Sequence, residues 1–271
     1  MSTEFTTSDV DGMATTTAVV DAPSSDSSPS FAELGVRPEI VTALGERGIT
    51  HTFAIQELTL PLALAGSDLI GQARTGMGKT YGFGVPLLDR MVAGETTREL
   101  DGTPRALVIV PTRELCVQVT QDLKIAATQL TAPTDSGTRP LKVLSIYGGT
   151  PYEQQTEALA KGVDVVVGTP GRLLDLANQS TLVLGKVEVL VLDEADEMLD
   201  LPDIEKILRM VPDQRQTMLF SATMPGPIIT LARTFLTKPT HIRAEAADSG
   251  STHENTTQHV YRAHSLDKPE V

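Results

Sequence analysis

The sequence predicts an α/β fold, a mostly parallel sheet with helices on both faces. Three observations carry that prediction. Short apolar runs, DLIGQA, RALVIV, KVLSIY, DVVVG, VEVLVLD and QTMLFS, recur along the chain. Longer segments with helical periodicity, such as RELCVQVTQDLKIAATQL and PGPIITLARTFL, separate them. The runs are nearly continuous in apolar residues, as strands covered on both faces are. Ligands of such sheets sit beyond the carboxyl ends of the strands, so the residues that follow each run are the candidates for chemistry.

Taken in order, residues 1–30 are rich in Ser, Thr and Asp, end in APSSDSSPS and predict a disordered acidic tail. Residues 31–245 predict the folded domain. It opens with FAELGVRPEIVTALGERGI, whose apolar residues at helical spacing are broken by Gly35, Gly45 and Gly48, and this predicts short helices ahead of the sheet. TAPTDSGTRP, residues 131–140, predicts a surface loop from its turn residues. After THIRAE the polar stretch AADSGSTHENTTQ predicts a linker, and QHVYRAHSLDKPEV regains strand-like character without completing an element.

Composition bounds the function. A chain of 271 residues, 40% hydrophobic, suffices for one generous domain or two small ones with a buried core. No run of about 18 apolar residues predicts a membrane span, and the N-terminal MSTEFTTSDVDGMATTT lacks the basic start and apolar stretch of a secretory signal. The single cysteine allows no internal disulfide, which suits a reducing cytoplasm, and no Cys/His cluster suggests zinc. The net charge is −13, with Glu4, Asp9, Asp11, Asp21 and Asp26 in the tail. A polyanion must therefore meet a local basic site on an acidic body. With no tryptophan and 4% aromatics, a base-stacking platform is not expected.

After the first apolar run comes ARTGMGKT: Ala73, Arg74, Thr75, Gly76, Met77, Gly78, Lys79 and Thr80. Gly76 and Gly78 can adopt backbone angles denied to other residues, so successive N–H groups can turn inward around a phosphate at a helix N-terminus. Lys79 would reach the β and γ phosphates and the Thr80 hydroxyl would hold Mg²⁺. The usual pattern begins with Gly where this chain has Ala73; the alternative is a glycine-rich turn before a buried helix. A phosphate loop needs an acidic partner on a neighbouring strand, and KVEVLVLDEADEMLD supplies one. Asp193 would bind Mg²⁺ and Glu194 would orient or deprotonate the attacking water, while Glu197 and Asp200 fit the solvated face of the next helix. A helix cap is the alternative for the Asp-Glu pair.

These residues resemble the DEAD-box RNA helicases, whose name spells Asp193, Glu194, Ala195 and Asp196. The resemblance runs over about residues 31–271 with several motifs in the family's order. ARTGMGKT resembles its phosphate loop, PTREL (111–115) and TPGR (169–172) its RNA-backbone motifs, and SAT (221–223) its coupling motif. It implies a RecA-like P-loop NTPase domain that uses ATP and Mg²⁺ and holds RNA through Thr112, Arg113, Gly148, Gly149, Thr169 and Arg172. Ser221 and Thr223 would link Asp196 to strand separation, with a helix cap before PGPIITL as their alternative. Phe31 and Gln56 resemble the adenine-reading segment: a Gln amide can donate to and accept from an adenine edge, whereas Phe31 fits a helix-packing anchor equally well. For Arg113 and Arg172 the alternative is an intramolecular ion pair. Backbone contacts carry no base sequence, so binding is expected to be sequence-independent. Cys116 is expected to be a small buried hydrophobe.

Three departures from the family stand out. Phe53 and Ala54 replace the usual Thr-Pro before Ile-Gln, and LDLPDIEK lacks a Gly-Phe step. No motif of the family's second RecA-like domain, which bears arginine fingers, occurs before the chain ends at DKPEV, and the chain is read as a truncation. A non-catalytic RNA-binding switch and a DNA helicase of a related superfamily are the competing readings. Retention of Lys79, Asp193 and Glu194 argues against the first, and the Phe31 and Gln56 segment against the second.

Overall fold

The computed structural model describes residues 4–10, 13–19, 28–92, 103–134, 137–198 and 201–245. Strands β1 (Glu4–Val10) and β2 (Met13–Val19) lead into α1 (Pro38–Gly45) and α2 (Ala54–Leu64). Next come β3 (Leu69–Gln72), α3 (Lys79–Val92), β4 (Ala106–Ile109) and α4 (Arg113–Ala126). β5 (Thr131–Thr134), β6 (Gly137–Pro140), β7 (Val143–Ile146), α5 (Tyr152–Ala160), β8 (Val165–Gly168) and α6 (Pro170–Asn178) follow. The chain continues through β9 (Val189–Leu192), α7 (Leu201–Leu208), β10 (Gln216–Ser221), α8 (Gly226–Phe235) and β11 (Thr240–Glu245).

Among the described residues the main sheet has the order β1-β2-β11-β3-β10-β9-β4-β8-β7. From β2 to β7 every pairing is parallel; only β1 on β2 is antiparallel. All six apolar runs are strands of this sheet. β4, β8, β9 and β10 are buried along their whole length, and alternate residues feed two cores. Val108, Val167, Val191 and Phe220 join one core with Ile40 of α1, Ile55 of α2, Phe83 of α3 and Leu123 of α4. Leu107, Val166, Leu190 and Leu219 join the other with Leu173 of α6, Ile204 of α7 and Ile228 of α8. Each face buries one set of helices, so the ends of the strands are left for ligands. Gly71 sits mid-strand because a Cβ there would lie 2.5 Å from the Phe220 ring, which also stacks on Phe83 at 5.3 Å.

Three expectations meet a different arrangement. Residues 131–140 are a two-stranded antiparallel hairpin, β5 on β6, rather than a loop. Arg139 in β6 donates through both terminal nitrogens to the fully buried Asp164 carboxylate at 2.7 Å, and this long-range fork pins the segment as a strand. Where a disordered tail is expected, residues 4–10 and 13–19 pair, and β2 adds to β11. MATTTAV, in β2, is rich in β-branched residues and carries no charge, which suits strand geometry. Glu197 is exposed as expected, but in a single 3-10 turn, Ala195–Glu197, ahead of α7. Asp200 and the linker of 246–271 lie outside the described residues. No helix among the described residues is long and apolar enough to cross a membrane.

Candidate functional site

The strand order brings distant motifs to one edge. ARTGMGKT leaves β3, SAT leaves β10, DEAD leaves β9, PTREL leaves β4, TPGR leaves β8 and the glycine doublet leaves β7. Since these strands are neighbours and parallel, all six segments lie at carboxyl ends, phosphate-loop chemistry on one half and arginine-bearing loops on the other.

In the phosphate loop Gly76 and Gly78 have positive φ, 84° and 77°. A Cβ on Gly78 would come within 2.6 Å of the Phe53 ring and 2.7 Å of the Gln56 amide nitrogen, so this position admits only glycine as the loop stands. Arg74 and Thr75 are exposed, Met77 packs partly on the core, and the half-buried Thr80 hydroxyl has no hydrogen-bond partner among the described residues. Lys79 begins α3 and is buried, its Nζ donating to the Ala73 carbonyl and to Glu194 Oε2, both at 2.9 Å. The Thr75 hydroxyl donates to Glu194 Oε1 at 3.0 Å. Loop and acidic turn, 115 residues apart in the chain, therefore meet directly. A phosphate entering the loop must compete with Glu194 for the ammonium.

Glu194 has φ 49° and ψ 48°, a left-handed conformation for a residue with a side chain, which costs on the order of 1 kcal/mol. The sharp turn it makes after β9 lets neighbouring carboxylates take different partners. Glu194 takes Lys79. Asp196 takes the coupling motif: it accepts from the Ser221 hydroxyl at 2.7 Å, the Thr223 hydroxyl at 2.6 Å and the Thr223 N–H at 2.9 Å. Burial raises the Asp196 pKa, but the bonds from Thr223 and Ser221 outweigh it, so the carboxyl sits below its ordinary range. Neither hydroxyl caps α8, whose N-cap is Pro225 without a side-chain bond.

Asp193 is buried, and one oxygen accepts the Glu194 N–H at 3.0 Å. Burial first, and then the Glu194 charge, push its carboxyl up to about 7, with Lys79 pulling the other way. A buried carboxylate beside another, with one ammonium bonded to the second, is a site short of positive charge. A divalent cation could supply that charge, with the Thr80 hydroxyl and Asp193 as oxygen donors of the kind Mg²⁺ takes. A carboxyl raised in the folded state contributes stability that is full below its unfolded pKa of 3.8 and lost as pH climbs through about 7. Between about pH 6 and about pH 8 the nucleotide-free protein should thus lose about 1 kcal/mol that the Asp193→Asn variant does not lose, as read by urea unfolding.

Phe31 is 1% exposed and packed in the core, the arrangement of a packing anchor. Gln56 is also buried, with Oε1 accepting the Phe53 N–H at 2.9 Å and Nε2 donating to the Gly78 carbonyl at 2.6 Å. Its amide thus ties α2 to the ARTGMGKT loop at Gly78. Cys116 is buried, its thiol pushed up to about 11 by burial.

On the other half, Thr112 caps α4 by accepting the Leu115 N–H at 3.2 Å, while Thr169 starts α6 with its hydroxyl uncommitted. Arg113 and Arg172 have no carboxylate partner among the described residues, which removes the ion-pair alternative. Each guanidinium rests on a tyrosine instead: Arg113 over Tyr147 at 5.2 Å, Arg172 over Tyr152 at 3.9 Å. Gly148 and Gly149 fall between these tyrosines in the chain, and a Cβ on Gly149 (φ 79°) would fall 2.8 Å from an Arg113 nitrogen. Tyr147 and Tyr152, the ring partners of these arginines, are not among the residues that the sequence singles out. YGGTPY, with an aromatic on each side of the doublet, was the available signal.

A family profile described as DEAD/DEAH box helicase matches residues 53–231. The chain is 48% identical over 216 residues to the maize chloroplastic DEAD-box ATP-dependent RNA helicase 3A, covering 78% of this chain and 27% of that protein. It is 42% identical over 246 residues to the DEAD-box ATP-dependent RNA helicase CshA of Geobacillus kaustophilus, covering 89% and 49%. The crystal structure of a DEAD box protein from Methanococcus jannaschii superposes with a TM-score of 0.69 at 37% identity, covering 80% of this chain and 56% of that one. The chain spans half or less of the length of these curated relatives. With the profile matching most of the chain, and with six motifs gathered on one edge of a RecA-like sheet, the chain belongs to the DEAD/DEAH box helicase family.

Proposed function

We propose that residues 31–245 form the ATP-binding RecA-like domain of an ATP-dependent RNA helicase, completed by a second RecA-like domain. One observation carries the proposal: the 2.9 Å contact of Lys79 with Glu194, beside the buried Asp193. Loop backbone N–H groups and Lys79 hold the triphosphate, and Thr75 and Gln56 support the loop. Thr80 and Asp193 would hold Mg²⁺, which neutralises phosphate charge when bound. Released from Lys79, Glu194 is placed to orient water or take its proton, and the Asp196, Ser221 and Thr223 bonds join this turn to the end of β10. Phe31 is taken here as a packing anchor, on the strength of its buried ring.

RNA is proposed to run along Thr112, Arg113, Gly148, Gly149, Thr169 and Arg172, held by its sugar-phosphate backbone. Arginine forks and helix starts suit phosphate oxygens, and glycine allows close approach. Closure of the two domains would then bend one strand and part a short duplex. An aqueous, cytoplasmic setting is part of the same reading, on the strength of the lone buried thiol. The test is fluorescence anisotropy with single-stranded RNAs of unrelated sequence across a salt series. Affinities within about two-fold of each other are expected, with the salt slope reduced by about one in Arg113→Ala and in Arg172→Ala. Absence of RNA binding, or strong dependence on sequence, overturns the RNA assignment.

A further inference from the structure

Arg172 and Asp175 stand three residues apart on α6, the spacing at which a guanidinium and a carboxylate pair on a helix surface. They do not pair. Asp175 Oδ2 accepts the Tyr152 hydroxyl at 2.9 Å, while the Arg172 guanidinium lies over the Tyr152 ring at 3.9 Å and donates to the Thr150 carbonyl at 3.2 Å. Tyr152 opens α5, just after the glycine doublet, so one ring from α5 stands between an acid and a base of α6.

We propose that Tyr152 is a positioning residue for Arg172, a spacer whose hydroxyl occupies Asp175 and whose face carries the guanidinium, so that the cation stays available to an RNA phosphate. The proposal rests on the RNA-backbone reading of Arg172 given above. An ion pair with Asp175 would cancel the charge of Arg172 and fill part of its donor fork. Stacking does neither: a guanidinium lying on a ring keeps its charge and leaves its in-plane N–H groups to point outward. The bond to Asp175 also raises the Tyr152 pKa, which keeps the phenol a neutral donor. Tyr152 is 37% exposed, so the stack sits on the surface where a strand can reach it.

The experiment titrates the 271-residue chain with a fluorescein-labelled oligouridylate RNA at low salt. Arg172→Ala and Tyr152→Ala are each expected to weaken binding by about three- to ten-fold. Adding Asp175→Asn to Tyr152→Ala should restore affinity to within about two-fold of wild type, because nothing then captures the guanidinium. A merely structural role for the ring would not be rescued by neutralising an acid. Unchanged binding in Tyr152→Ala alongside a loss in Arg172→Ala, or a loss in Tyr152→Ala that Asp175→Asn fails to rescue, overturns the spacer. If neither Arg172→Ala nor Tyr152→Ala changes binding, or wild type binds no RNA, the RNA assignment itself falls. ATP binding serves as the folding control. Should Tyr152→Ala fail it, Tyr152→Phe, which keeps the ring but frees Asp175, must show a smaller loss with the same rescue.

Discussion

Replacing Lys79 with Met is expected to lower ATP affinity by a factor on the order of 10² and to cost about 3 kcal/mol of folding stability at neutral pH. Both effects have one origin. The ammonium is buried, bonded to the Ala73 carbonyl and Glu194, and its charge also acts on the buried Asp193. Met fills the aliphatic volume but leaves Glu194 without a cation in a place water hardly reaches, the case in which breaking a buried pair is most costly. For the nucleotide, the loss is that of a charge-assisted bond to phosphate. A fluorescent-nucleotide titration reads the first effect, and urea unfolding reads the second.

Glu194→Gln is expected to separate binding from chemistry. An amide in place of the carboxylate no longer holds Lys79 by charge, so the ammonium turns to phosphate more readily and one repulsive charge near the triphosphate disappears. ATP affinity should rise by several-fold, up to about ten-fold, since one charge at partly screened distance contributes about 1 kcal/mol. Turnover should fall by a factor on the order of 10² to 10⁴ when the chain is joined to a second RecA-like domain, because the group proposed to orient or deprotonate water is gone. Phosphate release and nucleotide titration on the same preparation give both numbers. A binding switch without catalysis would show no turnover to lose.

The placing of ARTGMGKT between a strand and a helix was legible because its pattern is local: glycines, a lysine and a threonine in eight consecutive residues at a strand end. The six apolar runs were legible because buried parallel strands need no polar face. Polar or proline-bearing strands were not. THIRAE and TAPTDSGTRP carry Arg, His and Pro, and the second is fixed as a hairpin by Asp164, 25 residues beyond Arg139, a pairing that no window of sequence displays. Gln56 shows the same limit at the site. Its residue type was noticed, but the partner that orients its amide is the Gly78 carbonyl, 22 residues on. The two tyrosines under Arg113 and Arg172 were overlooked since a low aromatic content argues against base stacking and says nothing about stacking of cations. Phe31 fits two roles from sequence alone, and its burial favours packing.

For ATP to bind as proposed, the lysine loop and the acidic turn must converge on one triphosphate. A single nucleotide titration of wild type, Lys79→Met and Glu194→Gln tests it, because the two variants remove opposite charges from the same place. ATP affinity should fall in the first and rise in the second. If both variants shift it in the same direction, or Glu194→Gln leaves it untouched, the two motifs do not share a phosphate site.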